Sequence, residues 1–304
     1  MADGAISVVT GAFSFTGGCI ANRLLDMGEE VRTLTGHPDR PNAFGGRVKA
    51  YAYSFDKLEQ LTESLRGAST LYSTYWVRFA HGDMTFEKAV ANTKVLIQAA
   101  KDAGVRRMVH VSITNPSDDS PLPYFRGKAQ VEDAIKTSGL SYAILRPAVL
   151  FGDQAILINN IAWFVRRLPV FAVPGSGEYR LQPIHVDDLA DLAVEWGHKD
   201  ESIVLDAVGP DAPTFNELLK WISDAIGSKA MVVHVPPTVA LMGTWVLGKL
   251  VGDVVLTSDE VKGLEANLLL SKGQPTAKRS LRTWISENAD WLGTRYFSEV
   301  KKHF

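Results

Sequence analysis

The feature that most constrains this chain is an apolar strand that runs directly into a glycine turn and then into a helix. Ala5-Ile6-Ser7-Val8-Val9-Thr10 reads as the strand and Gly11-Ala12-Phe13-Ser14-Phe15-Thr16-Gly17-Gly18 as the turn. Ile20, Leu24, Leu25 and Met27 then supply the apolar positions of a helix, with Gly28 as its stop. Backbone N–H groups point outward at such a helix start, and the helix dipole favours negative charge, so the unit is an anion site suited to a pyrophosphate. Gly11 makes the tight turn, and Gly17 lets the helix pack close to the strand. A glycine pattern by itself says little; the strand before it and the helix after it give it meaning.

The same alternation continues through the first half of the chain. Strands are expected at Glu30–Thr35, Val48–Tyr53, Ser69–Thr74, Arg107–Ile113 and Leu140–Leu145, and helices at Asp56–Arg66, Phe86–Ala103 and Tyr124–Thr137. Such an order predicts an α/β fold, a doubly wound parallel (Rossmann) sheet covered by helices on both faces. After Arg146-Pro147 the regularity breaks: a helix at Ile156–Leu168 leads into a turn-rich stretch marked by Pro169, Pro174, Gly175 and Gly177. His185-Val186-Asp187-Asp188-Leu189-Ala190 opens another helix, Ile203–Asp206 forms a last strand, and helices are expected at about 214–226, 237–251 and 257–270. The predicted organisation is a dinucleotide-binding domain over 1–150, with 180–208 returning to it, and a smaller, mostly helical C-terminal substrate lobe from 151–179 and 209–304.

Composition narrows the partners. At 304 residues with 46% hydrophobic and 22% charged residues, the chain has the make-up of an ordinary globular protein. A formal net charge of -2 gives no electrostatic reason to expect nucleic acid. The single cysteine, Cys19, excludes an intrachain disulfide and suits a reducing compartment. With the strand starting almost at once no signal peptide is expected, and the apolar run Val239–Val251, interrupted by Lys249, is too short to span a bilayer. The expectation is a cytoplasmic protein without a transmembrane segment. His110, His185 and His234 lack metal-ligand spacing, so structural roles and no metal are expected.

Further motifs follow in order: Ala103-Gly104-Val105-Arg106-Arg107 leading to His110-Val111-Ser112, then Tyr124-Phe125-Arg126-Gly127-Lys128, Arg146-Pro147 with Phe151-Gly152, and His185–Ala190. Residues four apart on a helix share a face, so Tyr124 and Lys128 reach one pocket. An ammonium beside a phenol favours the phenolate and makes the tyrosine a usable acid/base. Ser112, ending its strand, is placed to hold a carbonyl or alcohol oxygen. Tyr53 and Lys57 have the same spacing but follow a different strand, where Lys57 reads as a solvated helix residue.

Taken together these segments resemble the short-chain dehydrogenase/reductase superfamily: the turn matches TGxxGxxG with Ser14 at the middle glycine, Tyr124–Lys128 matches YxxxK, and the last two match RPxxxxG and HVDDLA. Within it the chain is most similar to the extended and atypical branch, which includes NmrA-type regulators, isoflavone-reductase-like enzymes and the nucleotide-binding accessory subunit of complex I. The resemblance implies catalysis by Ser112, Tyr124 and Lys128. It implies cofactor contacts from Gly11, Phe13, Ser14, Phe15, Thr16, Gly17, Thr35, His37, Arg40, Asp56, Thr74, Tyr124, Lys128 and Pro147. The Ser14 hydroxyl is expected to bond a phosphate oxygen. Asp56 matches an acid near the adenine ring or is only a helix N-cap, and Asn92 matches an asparagine that supports the lysine through water.

The strand Glu30–Thr35 ends in Gly36-His37 with no acid for a ribose 2′-OH, while Arg40 and Arg32, helped by His37, are cations for a 2′-phosphate; NADP is therefore expected, with NAD as the alternative. Tyr75, Trp76 and Arg78 are candidates to clamp a small planar or anionic substrate, or else pack under the lobe. Trp163, Phe164, Arg166 and Arg167 lie on the helix that borders the pocket in similar proteins. Met242, Trp245, Val246 and Leu247 read first as lobe core, and otherwise as a lid, a homodimer face or a membrane-resting surface. The expected function is an NAD(P)-dependent oxidoreductase acting on a carbonyl or alcohol. The alternatives are a non-catalytic nucleotide-binding regulator or assembly subunit, and an NAD-dependent epimerase or dehydratase.

Overall fold

Strands and helices follow one another from Ile6 onward in a computed structural model that describes residues 5–300. In chain order come β1 (Ile6–Thr10), α1 (Phe15–Asp26), β2 (Glu30–Thr35), β3 (Val48–Ala52), α2 (Leu58–Leu65), β4 (Thr70–Ser73), α3 (Phe86–Asp102), β5 (Arg107–Val111), α4 (Pro123–Lys136) and β6 (Ser141–Pro147). Next are β7 (Leu150–Phe151), α5 (Ile156–Arg167), β8 (Val170–Pro174), β9 (Ile184–His185), α6 (Val186–Gly197) and β10 (Ile203–Ala207). The chain continues with α7 (Phe215–Ile226), β11 (Met231–Val235), α8 (Pro237–Val251), α9 (Ser258–Glu265) and α10 (Leu281–Glu287). Its contacts separate two units: residues up to Pro147 with Val186–Ala207, and Ala148–His185 with Val208 onward.

The first unit is built on a seven-stranded sheet of order β10-β6-β5-β4-β1-β2-β3. Every pairing in it is parallel, as the alternation predicts. The chain builds outward from β1 through β2 to β3, then returns to the other side of β1 with β4. That reversal between β1 and β4 is the topological switch point, where open α/β sheets bind ligands beyond the carboxyl ends of their strands. Burial drives the arrangement: Leu34, Leu71, Met108 and Ile144 from the strands pack with Leu61, Leu65, Leu96, Val131 and Ile135 from α2, α3 and α4. α1 lies on α6, where Arg23 bridges Asp187 at 2.8 Å and Asp191 at 3.0 Å. α3 starts at Thr85, whose side chain accepts from the Lys88 N–H, and stops at Gly104, which takes φ 75°.

The second unit buries Phe151, Ile158, Leu181, Leu218, Ile222, Trp284 and Ile285 in its own core. Here the structure departs from the expected pattern. Val170–Pro174, expected as turns because prolines flank it, is a strand paired in parallel with Met231–Val235. The helix expected over 257–270 ends at Glu265, because Asn267 adopts a left-handed φ of 53° and the Leu268 N–H returns to the Gly263 carbonyl. Helix α8 is not lobe core: of its residues only Ala240 and Gly248 are buried, while Met242, Trp245 and Leu250 are 72%, 62% and 78% exposed. Among the described residues no helix is long and apolar enough to cross a membrane.

Candidate functional site

The glycine turn between β1 and α1 has the geometry of a phosphate cradle. Gly11 takes φ 66°, a left-handed conformation that favours glycine, and its N–H donates to the Leu34 carbonyl at 2.8 Å. A Cβ on Gly17 would stand 2.3 Å from the Gly11 carbonyl oxygen, so the close approach of α1 to the turn excludes any side chain there. Two threonines stiffen it. Thr33 donates to the Val9 carbonyl at 2.8 Å and accepts from the Ala12 N–H at 3.0 Å. Thr74 donates to the Thr10 carbonyl at 2.6 Å, and its N–H reaches the Thr10 hydroxyl at 2.7 Å. Thr33 escaped the sequence reading because its role needs β2 beside β1.

Ser14 changes the expected picture. Its hydroxyl donates to the Gly11 carbonyl at 2.6 Å instead of pointing a proton at a phosphate, and it makes no capping bond to α1. The cradle therefore offers a ligand the backbone and the α1 dipole. Phe13 packs against Phe44, ring centroids 6.1 Å apart, and Phe15 and Thr16 begin α1.

At the end of β2, the Thr35 hydroxyl accepts from the His37 N–H at 3.2 Å, and the Arg40 N–H closes a turn onto the His37 carbonyl. His37 and Arg40 are thus presented together on an exposed turn beyond the sheet. Arg32 is not there: it lies mid-strand, bonded to Glu30 at 2.9 Å and to the Arg66 carbonyl at 2.9 Å. Asp56 is exposed and precedes α2, whose N-cap position belongs to Lys57; the expected N-cap role is absent.

Helix α4 carries the other half of the site. Pro123 starts it, and Tyr124, Lys128, Glu132 and Lys136 recur at four-residue spacing along one face. Lys128 is 3% exposed, donates to the Val111 carbonyl at 2.8 Å and lies 4.6 Å from the Trp76 ring centroid. Burial pulls its pKa down to about 7, opposed by the nearby Glu132 carboxylate. Tyr124 is half-buried, edge-on to Trp76 at 5.9 Å and to Phe86 at 5.8 Å.

Ser112 follows β5 directly, and its N–H extends the β5–β6 ladder to the Leu145 carbonyl at 2.7 Å. Its hydroxyl donates to Glu132 Oε1 at 2.6 Å. Glu132, 1% exposed, also accepts from Arg146 Nε at 2.8 Å and from Lys136 Nζ at 3.3 Å, and the guanidinium makes a second contact through Nη2. The bidentate carboxylate raises the Arg146 pKa. While Glu132 holds its proton, Ser112 cannot donate to a carbonyl oxygen as expected; only its lone pairs remain. The sequence does place Glu132 one turn beyond Lys128, but nothing in it brings Arg146 alongside. Pro147 ends β6, its carbonyl accepting from the Thr114 N–H at 3.0 Å.

The remaining candidates disperse. Tyr75 turns into a cluster with Tyr53 and Phe55, and its hydroxyl accepts from Asn92 Nδ2 at 2.8 Å. Arg78 lies beside the Phe79 ring at 5.7 Å. Burial raises the Tyr53 pKa, and Lys57 is exposed, which leaves the Tyr53–Lys57 spacing without chemistry. In the second unit, Arg166 donates to the Leu292 and Ala289 carbonyls and Arg167 to those of Gly293 and Thr294, tying α5 to the C-terminal segment, and both arginines line a cavity with Ile226, Gly227 and Ser228. The described residues gather no cluster of three or more His, Cys, Asp or Glu able to hold a metal ion.

Similarity to known proteins bears on this arrangement. The sequence model of the NAD(P)H-binding family matches residues 11–162. The chain is 25% identical over 249 residues to the mitochondrial NADH dehydrogenase (ubiquinone) 1 alpha subcomplex subunit 9 of Arabidopsis thaliana, covering 78% of this chain and 62% of that one. It thus spans less than two thirds of that relative's length. Among solved structures it is similar to the NADPH-dependent quinone oxidoreductase QOR2 of Escherichia coli complexed with NADPH, with a TM-score of 0.75, 18% identity, and 92% of this chain and 99% of that one covered. It is also similar to MoeE5 in complex with UDP-glucose and NAD, with a TM-score of 0.68, 21% identity, and 95% and 98% covered.

Proposed function

Because the chain belongs to the NAD(P)H-binding family, we propose that it is an NADP-dependent oxidoreductase acting on a carbonyl or alcohol, with Tyr124 as its acid/base. The observation that carries this reading is Lys128: a lysine buried at the carboxyl end of β5, one helical turn from Tyr124, with a pKa of about 7. Perturbed groups of this kind concentrate at functional sites.

The residues present fit a dinucleotide. The Gly11–Gly17 turn brings the α1 N-terminus close to β1, with no room for a side chain at Gly17, as suits a pyrophosphate. His37 and Arg40 are on the turn beyond β2 as cations for a 2′-phosphate, and the acid of that turn, Asp39, comes only after Pro38, later than the strand end where an acid would meet a ribose 2′-OH. When bound, the nicotinamide supplies or accepts hydride. Tyr124 then gives its phenolic proton to the substrate oxygen on reduction, or takes it on oxidation. Protonated Lys128 stabilises the phenolate left behind. Ser112 accepts a hydrogen bond from a substrate hydroxyl or from Tyr124, its own proton being held by Glu132.

A second reading, nucleotide binding without turnover in an assembly subunit or regulator, is favoured by the ring of Trp76 over Lys128 and by the similarity to a respiratory subunit. The fold similarity to a protein complexed with UDP-glucose and NAD keeps an epimerase or dehydratase as a further variant. NADPH consumption with a panel of ketones and quinones, run on wild type and Tyr124→Phe, tests the first reading. Turnover that Tyr124→Phe abolishes while NADPH binding persists supports it. Binding without turnover on any substrate supports the second.

A further inference from the structure

Trp76 stands three residues beyond the end of β4, next to the switch point of the sheet. Its indole covers the groups that the proposed chemistry needs. The Lys128 ammonium is 4.6 Å from the ring centroid, and the Tyr124 ring meets it edge-on at 5.9 Å. The ring also presses on the residue between them: a Cβ on Gly127 would stand 3.0 Å from Trp76 Cη2 and 3.3 Å from Cζ2. Gly127 therefore makes the space that the indole fills.

What holds the ring there differs from what holds its neighbour. Tyr75 is anchored by its hydroxyl to Asn92 and wedged against Tyr53 and Phe55. Trp76 Nε1 is buried with no hydrogen-bond partner. A buried indole N–H normally finds one, and leaving it unmet opposes this position of the ring. Stacking with Phe86, the edge contact with Tyr124 and the cation–π contact with Lys128 hold the ring; no polar bond pins it.

We propose that Trp76 is a displaceable cover over Lys128, which the bound dinucleotide pushes aside so that its oxygen atoms replace the indole against the ammonium. Trp76 thereby competes with the ligand and sets its affinity. This rests on the reading that a dinucleotide binds across the carboxyl end of the sheet. The exchange suits both partners: Lys128 trades a ring face for hydrogen-bond acceptors, and the indole N–H gains water or an acceptor.

The test is calorimetric titration of NADP+ into wild type, Trp76→Phe and Trp76→Leu, with tryptophan emission followed in parallel and unfolding curves confirming that each variant is folded. Trp76→Leu is expected to bind NADP+ about tenfold more tightly than wild type, with Trp76→Phe between them. The emission change of wild type on binding is expected to vanish in Trp76→Phe. Equal or weaker binding by folded Trp76→Leu overturns the cover and makes the ring packing or a stacking platform. Absence of NADP+ binding by wild type overturns the dinucleotide reading and the cover with it, whereas binding that Trp76 does not oppose overturns the cover alone.

Discussion

The Ser112 hydroxyl donates a hydrogen bond to Glu132 at 2.6 Å, and Glu132 is in turn clasped by Arg146. The end of β5, the middle of α4 and the end of β6 are thereby joined through one buried carboxylate. Removing the carboxylate strands the Arg146 guanidinium and the Ser112 hydroxyl together. Glu132→Ala is expected to destabilise the protein by about 3 kcal/mol, as breaking a buried pair does. Adding Arg146→Met is expected to recover much of the loss. Urea unfolding of the single and double variants measures both, and a Glu132→Ala protein as stable as wild type would contradict the network.

Lys128 makes stability depend on pH in a stated direction. Its folded pKa of about 7 lies below the unfolded value of 10.5, so the folded state binds fewer protons between the two. Stability from this group is lowest below pH 7, where a buried charge must be kept, and rises as pH climbs from about 7 towards 10.5. Thermal unfolding of wild type and Lys128→Met at pH 6 and pH 9 checks it (both pH values chosen to lie about one unit or more outside or inside that window). The variant's stability relative to wild type is expected to be greater at the lower pH; an equal difference at both would sink the idea.

Gly17 tests the cradle. Gly17→Ala forces a Cβ against the Gly11 carbonyl at 2.3 Å, with backbone on both sides of the contact. The expected outcome is a loss of about 1–3 kcal/mol in stability, as overpacking produces, together with loss of NADP+ binding. Gly18→Ala, whose Cβ would meet only the Ala12 carbonyl at 3.2 Å, is the milder control. Chemical unfolding and calorimetry on the two variants separate them.

Arg40 tests the cofactor preference. Arg40→Ser is expected to weaken NADP+ binding about tenfold, the worth of one charge-assisted hydrogen bond, and to leave NAD+ binding unchanged. An equal loss for both nucleotides would make Arg40 a general contact with no role in selectivity.

The parallel sheet was legible because most of its strands are short apolar runs followed by a helical pattern (β2, which leads into β3, and β6 are the exceptions), and Tyr124–Lys128 was legible because four-residue spacing on a helix is visible in sequence. The partners of those residues were not. Glu132 meets Ser112 and Arg146 only once α4, β5 and β6 are assembled, and Asn92 finds Tyr75 only across the loop after β4. Val170–Pro174 was hidden by Pro169 before it and Pro174 at its end, the latter tolerated because the strand is paired on one side only. Val239–Val251 misled in the opposite way: a helix apolar on nearly all sides reads as core, yet Met242, Trp245 and Leu250 are exposed.

The most direct measurement is calorimetric titration of the purified, cofactor-stripped protein with NADPH and, separately, NADH. Saturable binding with NADPH preferred is the expected result, since Gly17 leaves the α1 N-terminus close to β1 and Arg40 stands on the turn beyond β2, where the strand itself ends without an acid. Binding of neither nucleotide would contradict the dinucleotide site itself, and with it every role proposed for Tyr124, Lys128 and Trp76.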